Sequence, residues 1–420
     1  MSALDTTVLD TLTESQPPWR AAQMKAALTG FESQATPTGA EEEWRYVDLG
    51  IDAADLIPAT QAGEKLPPGP FLTEALAQSS GRVTIIDGVV TEVALDDDAI
   101  AVRRTADLDE LAPAAAVGKD KFAAAHLAFS PDGVRVEIPA RYVMTRPLVI
   151  DVQATQEGVA TFPHVEVAVA AEADAGVVVV YRSPDGSEML AVPGITLEAD
   201  DGGRLRFVSV QGWGDQTIGL VHQRLRLGRD ATGRLGEVGL GSRIGRLDLD
   251  VQLEGAGSSA EVVGLYFGEG HQTLDYRMVI THIGRNTSSD VFLKGAVEDH
   301  AQSIFTGLLR IEKDAIRSSA FETNRNLVLS EDAKAHSVPN LEILCDDVVC
   351  GHGSSVGPLE EEHLYYLQSR GLSRARAERM LIRGFFTEVI DRLPVPVVGK
   401  PVQEAVFRRF VEAQETGRLR

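Results

Sequence analysis

Between about residues 133 and 350 this chain is one β-type run after another, with no helix-length amphipathic segment among them. The runs VRVEI, PLVIDVQ, HVEVAVA, GVVVVY, RLRFVSV, RLDLDVQLEG, AEVVGLYFG, YRMVITHIG and NRNLVLS are separated by short stretches rich in Gly, Asp and Ser. A parallel α/β sheet needs a long crossover, usually helical, between its strands, so that fold is excluded. Alternation is plainest at Leu247, Leu249, Val251 and Leu253, which share one face of an extended segment. So many consecutive strands outgrow an ordinary sandwich, whereas a solenoid absorbs any number by stacking coil on coil. A mainly β solenoid is the natural reading. No fixed period is visible, so texture alone leaves two sandwiches open beside it.

The flanks are helical. Trp19–Leu28 predicts a helix rich in Ala and long side chains, stopped by Gly30. Pro58, Pro67, Pro68 and Pro70 suggest a linker, and the Ala-rich 106–129 segment predicts helix on both sides of Pro113. After the β-region, Leu359–Ser369 predicts a helix with acids in its first turn, ended by Gly371. Ser373 caps a second helix that Pro394 closes, and VQEAVFRRFVEAQE makes a third. The expected divisions are a helical or mixed region over 1–130, a β core over 131–357 and a helical region over 358–420.

The 62 acidic against 40 basic residues leave a net charge of −22. Phosphate backbones and anionic membrane surfaces need clustered cations, so neither nucleic acid nor membrane is an expected partner. Two cysteines in 420 residues cannot build a disulfide framework or a four-thiolate site. The first twenty residues lack the cationic start and apolar core of a signal peptide, and no apolar run approaches the ~18–20 residues that span a bilayer. A cytoplasmic location is expected.

Catalytic motifs are absent or out of context. Gly353-Ser354-Ser355-Val356-Gly357 matches G-x-S-x-G, but that elbow belongs between a strand and a helix of an α/β sheet. The expected reading is a tight glycine turn leaving the β-region. Gly239-Leu240-Gly241 with Gly245 is likewise read as a turn. There is no G-x-x-x-x-G-K-[ST], so the chain should not hydrolyse ATP by itself, and no H-E-x-x-H. His282 and His300 are expected on or beside strands, in surface or satisfied core roles. No catalytic residue is assigned.

The segment EILCDDVVCGHG over 342–353 stands apart, because it holds both cysteines, Cys345 and Cys350, with His352 two residues beyond the second. In a strand, residues i and i+2 point to one face, so the Cys350 thiolate and the His352 imidazole can aim at one point. Asp346 has the same parity; Cys345 and Asp347 have the opposite one. Thiolate with imidazole suits iron or zinc, yet one of each is half a coordination shell. A complete site needs ligands from another chain, and a buried Cys beside a structural His is the bland alternative. Arg370, Arg374, Arg376, Arg379 and Arg383 form the one basic cluster. Arg376, Arg379 and Arg383 fall at i, i+3 and i+7 on one helix face, suited to a partner surface or to pairing within the chain.

These residues also carry a resemblance. The run Thr323–Ala333 (TNRNLVLSEDA), Pro339–Ile343 (PNLEI), Asp346–Gly353 (DDVVCGHG), Gly357-Pro358-Leu359 and Leu364–Gly371 (LYYLQSRG) resembles the SufB/SufD family of the SUF iron-sulfur assembly system, in its SufD form. Glu42-Glu43-Trp44-Arg45-Tyr46 is similar to the family's E-E-W-[KR]-Y element, while Gln211-Gly212-Trp213 is similar to a Q-x-W element of SufB. The match runs from about residue 40 to the C-terminus and is dense over 265–390. The resemblance implies a right-handed parallel β-helix between helical regions. It implies a non-catalytic scaffold subunit that pairs with SufB through the β-helix and with the ATPase SufC through the C-terminal helices. His352 and Cys350 would then face the SufB interface, where a transient iron-sulfur cluster or iron is shared. Arg376, Arg379 and Arg383 would serve the SufC surface. A SufB-type cluster carrier and a homodimer in the absence of SufB are the alternatives within the family; nothing in the residues speaks for or against a flavin. An unrelated polysaccharide-active β-helix enzyme would want a ladder of carboxylates or basic residues along one groove, and the sequence has none.

Overall fold

A computed structural model describes residues 4–51, 56–109 and 120–415. The β-region folds as a parallel solenoid of about eight turns, flanked by helices at both ends of the chain. Each turn contributes one strand to each of two facing sheets. In the first sheet, Gly133–Ile138 is followed outward by His164–Val169, Gly194–Ala199, Thr217–Leu227, Ile244–Leu253, Thr273–His282, Gln302–Ile311 and Lys334–Ile343. In the second, Gly81–Ile86 is followed by Leu148–Gln153, Asp174–Arg182, Arg204–Gly212, Thr232–Gly239, Ser259–Gly268, Ser288–Val297, Ser318–Val328 and Val348–Gly357. The two-sandwich alternative is thereby excluded.

Register explains the missing repeat. Following one position up the first sheet, His222 pairs with Asp248, Asp248 with Arg277, Arg277 with Thr306 and Thr306 with Val338. The steps are 26, 29, 29 and 32 residues, so the coil length drifts while the strand registers stay in line. Leu247, Leu249, Val251 and Leu253 all point into the interior and are fully buried, as their alternation required. The interior of the early coils is aliphatic, with Val134, Val136, Val165, Val167, Val177 and Val179 in one cluster.

The outer faces of many strands before the last coil are buried too, which is why GVVVVY reads as an unbroken apolar run. Among the described residues the α-helices are α1 (Thr6–Thr13), α2 (Pro18–Ser33), α3 (Pro70–Ala77), α4 (Lys121–Phe129), α5 (Glu361–Ser369), α6 (Arg374–Ile390) and α7 (Gly399–Glu415). α1, α2 and α4 cover the first sheet, where Leu9, Met24, Phe31 and Phe122 meet Leu190, Ile218, Leu220 and Ile244. α3, α6 and α7 cover the second, where Leu72, Ile382, Phe386 and Val402 meet Val178, Val208, Val238 and Val263.

Three local expectations are corrected. α2 runs through Gly30 to Ser33, because Met24, Leu28 and Phe31 are buried against neighbours and a Cβ at Gly30 would already sit 3.7 Å from Ala124 Cβ. Tertiary packing outweighs the ~1 kcal/mol intrinsic cost of the glycine. The supposed linker is partly structured: Ile57–Pro58 pairs with Val159–Thr161, and Pro70 opens α3, where its missing N–H is harmless. Around Pro113, a single 3-10 turn lies at Thr105–Asp107 and α4 lies beyond; the stretch between 110 and 119 lies outside the described residues.

The two ends of the solenoid differ. At the N-terminal end, Val89–Leu95 pairs antiparallel with Gly81–Ile86 and closes the second sheet. Ala101–Arg104 does the same for the first sheet against Gly133–Ile138. At the C-terminal end, among the described residues, both sheets stop on a bare strand.

Candidate functional site

Those bare strands are Lys334–Ile343 and Val348–Gly357, each paired on one side only. Each leaves a ten-residue row of backbone donors and acceptors open, an arrangement that invites pairing with another chain. The side chains around them are unusually apolar for a surface. Val338, Leu341, Ile343, Leu344, Val349 and Val356 are exposed, with Phe321 beside them in the preceding coil. A terminal coil that faced water throughout would carry charge here.

Cys350 and His352 lie on the last strand, two residues apart. Its register pairs Ala320 with Cys350 and Glu322 with His352. Ala320 and Glu322 are buried and point into the solenoid, so Cys350 and His352 take the same inward side, one rung further out. Cys350 packs against the interior cluster, while His352 is exposed because no further coil covers it. The strand therefore delivers one thiol and one imidazole to the open mouth of the stack.

Asp346 does not join them. The residues 344–347 form a turn, and strand parity does not survive a turn. Asp346 is exposed there, whereas Cys345 points inward and is only 9% exposed, in the same interior cluster against which Cys350 packs. Parity had assigned Cys345 to the opposite face. The G-x-S-x-G segment is corrected as well: Gly353–Gly357 is the second half of the last strand rather than a turn leaving the β-region. The Gly239–Gly245 stretch is a turn as expected, joining strands that end at Gly239 and begin at Ile244.

Glu322 is the residue that motif reading missed. It is 2% exposed, and among the described residues neither carboxylate oxygen has a hydrogen-bond partner. Burial pushes its carboxyl up to about 8, so it is largely a neutral acid at pH 7. A Cβ on Gly307 of the opposite sheet would clash with its oxygens, so the glycine leaves the space the acid fills. Deeper in the same interior, Glu322 is followed by a polar column. Asn326 donates to Asn324 at 2.6 Å, the Tyr266 hydroxyl donates to Asn326, and Glu237 accepts from Gln223 at 2.7 Å and from Ser209. The only sequence signal for Glu322 was its even parity with Ala320, Asn324 and Asn326.

The remaining expected residues are distributed as follows. Gln211 and Trp213 are both buried in the interior. His282 is a satisfied core residue, its ring nitrogens bonded to Thr287 at 2.7 Å and Ser289 at 2.8 Å, and burial lowers it to about 4. His300 sits in a turn, half exposed. In the Glu42–Tyr46 motif, Trp44 is buried and its ring lies 4.1 Å from the guanidinium of Arg246, which itself is 2% exposed. Arg246 also donates to the Glu43 carbonyl at 3.0 Å, so the motif clamps the N-terminal region to the first sheet.

On the second sheet, α6 buries Ala377, Ile382, Phe386, Val389 and Ile390 and turns its other side outward. Arg376 and Arg383 are exposed on that side, and Arg379 is half buried. Arg374 instead pairs with Glu361 and Glu378, both at 2.9 Å, tying α5 to α6. Arg370 lies 5.2 Å from the Tyr366 ring. Tyr365, Tyr366 and Met380 are exposed beside these arginines, at 74%, 55% and 58%. The α5–α6 surface thus combines cations with bare aromatic area, the composition typical of protein contacts. No helix among the described residues is long and apolar enough to cross a membrane.

Comparison with known proteins identifies the family of the chain. Residues 152–385, more than half of the chain, match the family described as SUF system FeS cluster assembly, SufBD core domain. An iron-sulfur cluster assembly SufBD family protein of Mycobacterium bovis is 34% identical over 281 residues, covering 65% of this chain and 70% of that protein. The iron-sulfur cluster assembly protein SufD of Bacillus subtilis is 36% identical over 157 residues, covering 37% of this chain and 36% of its own. SufD of Escherichia coli is 32% identical over 173 residues, 41% of each chain. The chain belongs to the SufB/SufD family of SUF iron-sulfur cluster assembly proteins.

Proposed function

We propose that this chain is a SufD-type scaffold subunit, not itself a catalyst, whose open solenoid end pairs with a SufB-type partner. The carrying observation is the pairing of two bare ten-residue edge strands with an inward-facing Cys350 and His352 at the same mouth. In this reading, edge pairing supplies backbone hydrogen bonds and the exposed Val338, Leu341, Val349 and Val356 supply apolar burial. His352 is then a neutral imidazole donor, and Cys350 a softer second group, to iron or a nascent cluster that is cargo rather than a resident cofactor. One imidazole and one thiol cannot fill four positions, so the partner contributes the missing thiolate and the site exists only in the pair.

The α5–α6 surface is proposed to dock the SufC ATPase, with Arg376, Arg379 and Arg383 facing acidic groups and Tyr365 and Tyr366 filling apolar contacts. ATP turnover belongs to that partner, since this chain has no phosphate loop. A cytoplasmic site of action fits the absence of a spanning helix among the described residues. Co-expression with SufB- and SufC-type partners tests both surfaces. Val349→Lys with Val338→Lys should abolish the SufB-type pairing and leave the SufC-type subunit bound. Arg376→Glu with Arg383→Glu should do the reverse. Loss of neither contact would remove this assignment of surfaces.

A further inference from the structure

A second group of donor atoms lies far from the open end, where α4 meets the outer face of the first sheet. The Thr217–Leu227 strand places His222 outward, and register puts Asp248 directly beside it on the next strand. The N-cap of α4, Asp120, closes over both. One donor atom from each of Asp120, His222 and Asp248 lies within 4.8 Å of the others. These are the three residues that a tally of motifs could not bring together, since 102 and 26 positions separate them in sequence.

His222 is the telling member. Its side chain is 7% exposed, and among the described residues neither ring nitrogen has a hydrogen-bond partner; the nearest carboxylate oxygen, on Asp120, is 3.8 Å from Nε2. A buried imidazole normally donates at least one hydrogen bond, because an N–H left unpaired forfeits the solvation it lost on burial. The neighbouring histidines show what a satisfied ring looks like here. His126 Nδ1 donates to the Val192 carbonyl at 2.8 Å, and its Nε2 lies 3.0 Å from His164 Nδ1. Gly194 sits between His164 and His222 in register, and a Cβ there would fall 2.4 Å from His126 Nε2. The glycine opens a small pocket onto which His126, His164 and His222 all face.

Charge points the same way. Asp120, Asp248 and Asp275 gather around a single buried guanidinium, Arg246. Arg277 also acts on Asp275, so three carboxylates face two guanidiniums and the group as a whole stays net negative. The positive end of α4, worth about half a charge, offsets only part of this.

We infer that Asp120, His222 and Asp248 form a binding site for one divalent first-row metal ion, which staples α4 to the first sheet. A set of two carboxylates and one imidazole suits Zn²⁺, Fe²⁺ or Mn²⁺ and disfavours ions that want thiolate. Metal–ligand bonds of ~2.0–2.2 Å put donor atoms roughly 3–3.5 Å apart, so the three side chains draw in by about 1 Å on binding. The site is independent of the open end: His222 lies four strands inward from Lys334–Ile343, or roughly 19 Å at ~4.8 Å per strand.

The test titrates Zn²⁺ and Co²⁺ into the full chain, comparing the parent with Cys350→Ser/His352→Ala, His222→Gln and Asp120→Asn. Asp120→Asn keeps the helix cap, since Asn caps as well as Asp, and removes only the charge, so it guards against a variant that fails to fold. The expected result is one ion per chain in the parent and in the open-end double variant. Its Co²⁺ spectrum should lack sulfur charge-transfer bands, and affinity should fall at least tenfold in His222→Gln and Asp120→Asn. Zn²⁺ should raise the melting temperature of the first two proteins alone. Absence of binding in the open-end double variant, or binding unchanged by His222→Gln and Asp120→Asn, overturns the site.

Discussion

Glu237 offers a direct reading of the solenoid interior. It is fully buried, accepting from Gln223 at 2.7 Å and from the Ser209 hydroxyl, and burial pushes its carboxyl from 4.5 up to about 7. The unfolded chain releases this proton above pH 4.5, while the folded chain keeps it until about pH 7. Between those values the folded state binds more protons, so stability is full below about 4.5 and falls as the pH rises. At 1.36 kcal/mol per unit the total loss is about 3 kcal/mol, of which roughly 2 kcal/mol falls between about pH 5 and pH 7.5. Glu237→Gln removes the titration and keeps the shape. Its carbonyl can accept from Gln223 and its amide can donate to Ser209, whose hydroxyl turns round to accept. Urea midpoints of parent and Glu237→Gln should nearly coincide at about pH 5. At about pH 7.5 the variant should be the more stable by roughly 2 kcal/mol. Parallel pH profiles for the two proteins would refute the argument, because they would mean that Glu237 is ionised and solvated in the folded state.

Arg246→Leu should destabilise the chain by about 3–5 kcal/mol in chemical denaturation, because it leaves Asp248 and Asp275 buried without their guanidinium and Trp44 without its cation. Cys345→Ser should cost about 1–3 kcal/mol by the same assay, since the hydroxyl enters an apolar interior with no partner waiting, whereas Cys350→Ser at the open mouth should cost less. Rigorously purified chain should show no ATP turnover in a phosphate-release assay, as it has no loop to hold the nucleotide.

Much of this fold is legible in the sequence because many of its strands before the last coil are buried on both faces. GVVVVY and RLRFVSV carry apolar residues at odd and even positions alike, since helices cover what the interior does not. The repeat was illegible for an equally physical reason: turns of different length join strands in constant register, and only the strands are constrained by pairing. Parity served within the last strand, where Cys350 and His352 do share a side, and failed at Cys345 and Asp346 because a turn intervenes. Glu322 looked like one acid among the polar residues of NRNLVLS and its approach. Only the stacking of Ala320 and Glu322 beneath Cys350 and His352 gives it a place. The three donors around His222 were beyond reach, because nothing short of the coil register sets Asp248 beside it.

The proposed role of the open end is to hold iron-sulfur cargo jointly with a partner. It is tested most directly by reconstituting the complex with SufB- and SufC-type subunits anaerobically, with iron and sulfide, and reading cluster absorbance in parent and His352→Ala. His352 lies at the bare mouth and supports no core packing, so the variant should fold and assemble with its partners as the parent does. Such an intact complex is expected to form little or no cluster. A full complement of cluster in the His352→Ala complex would contradict that role.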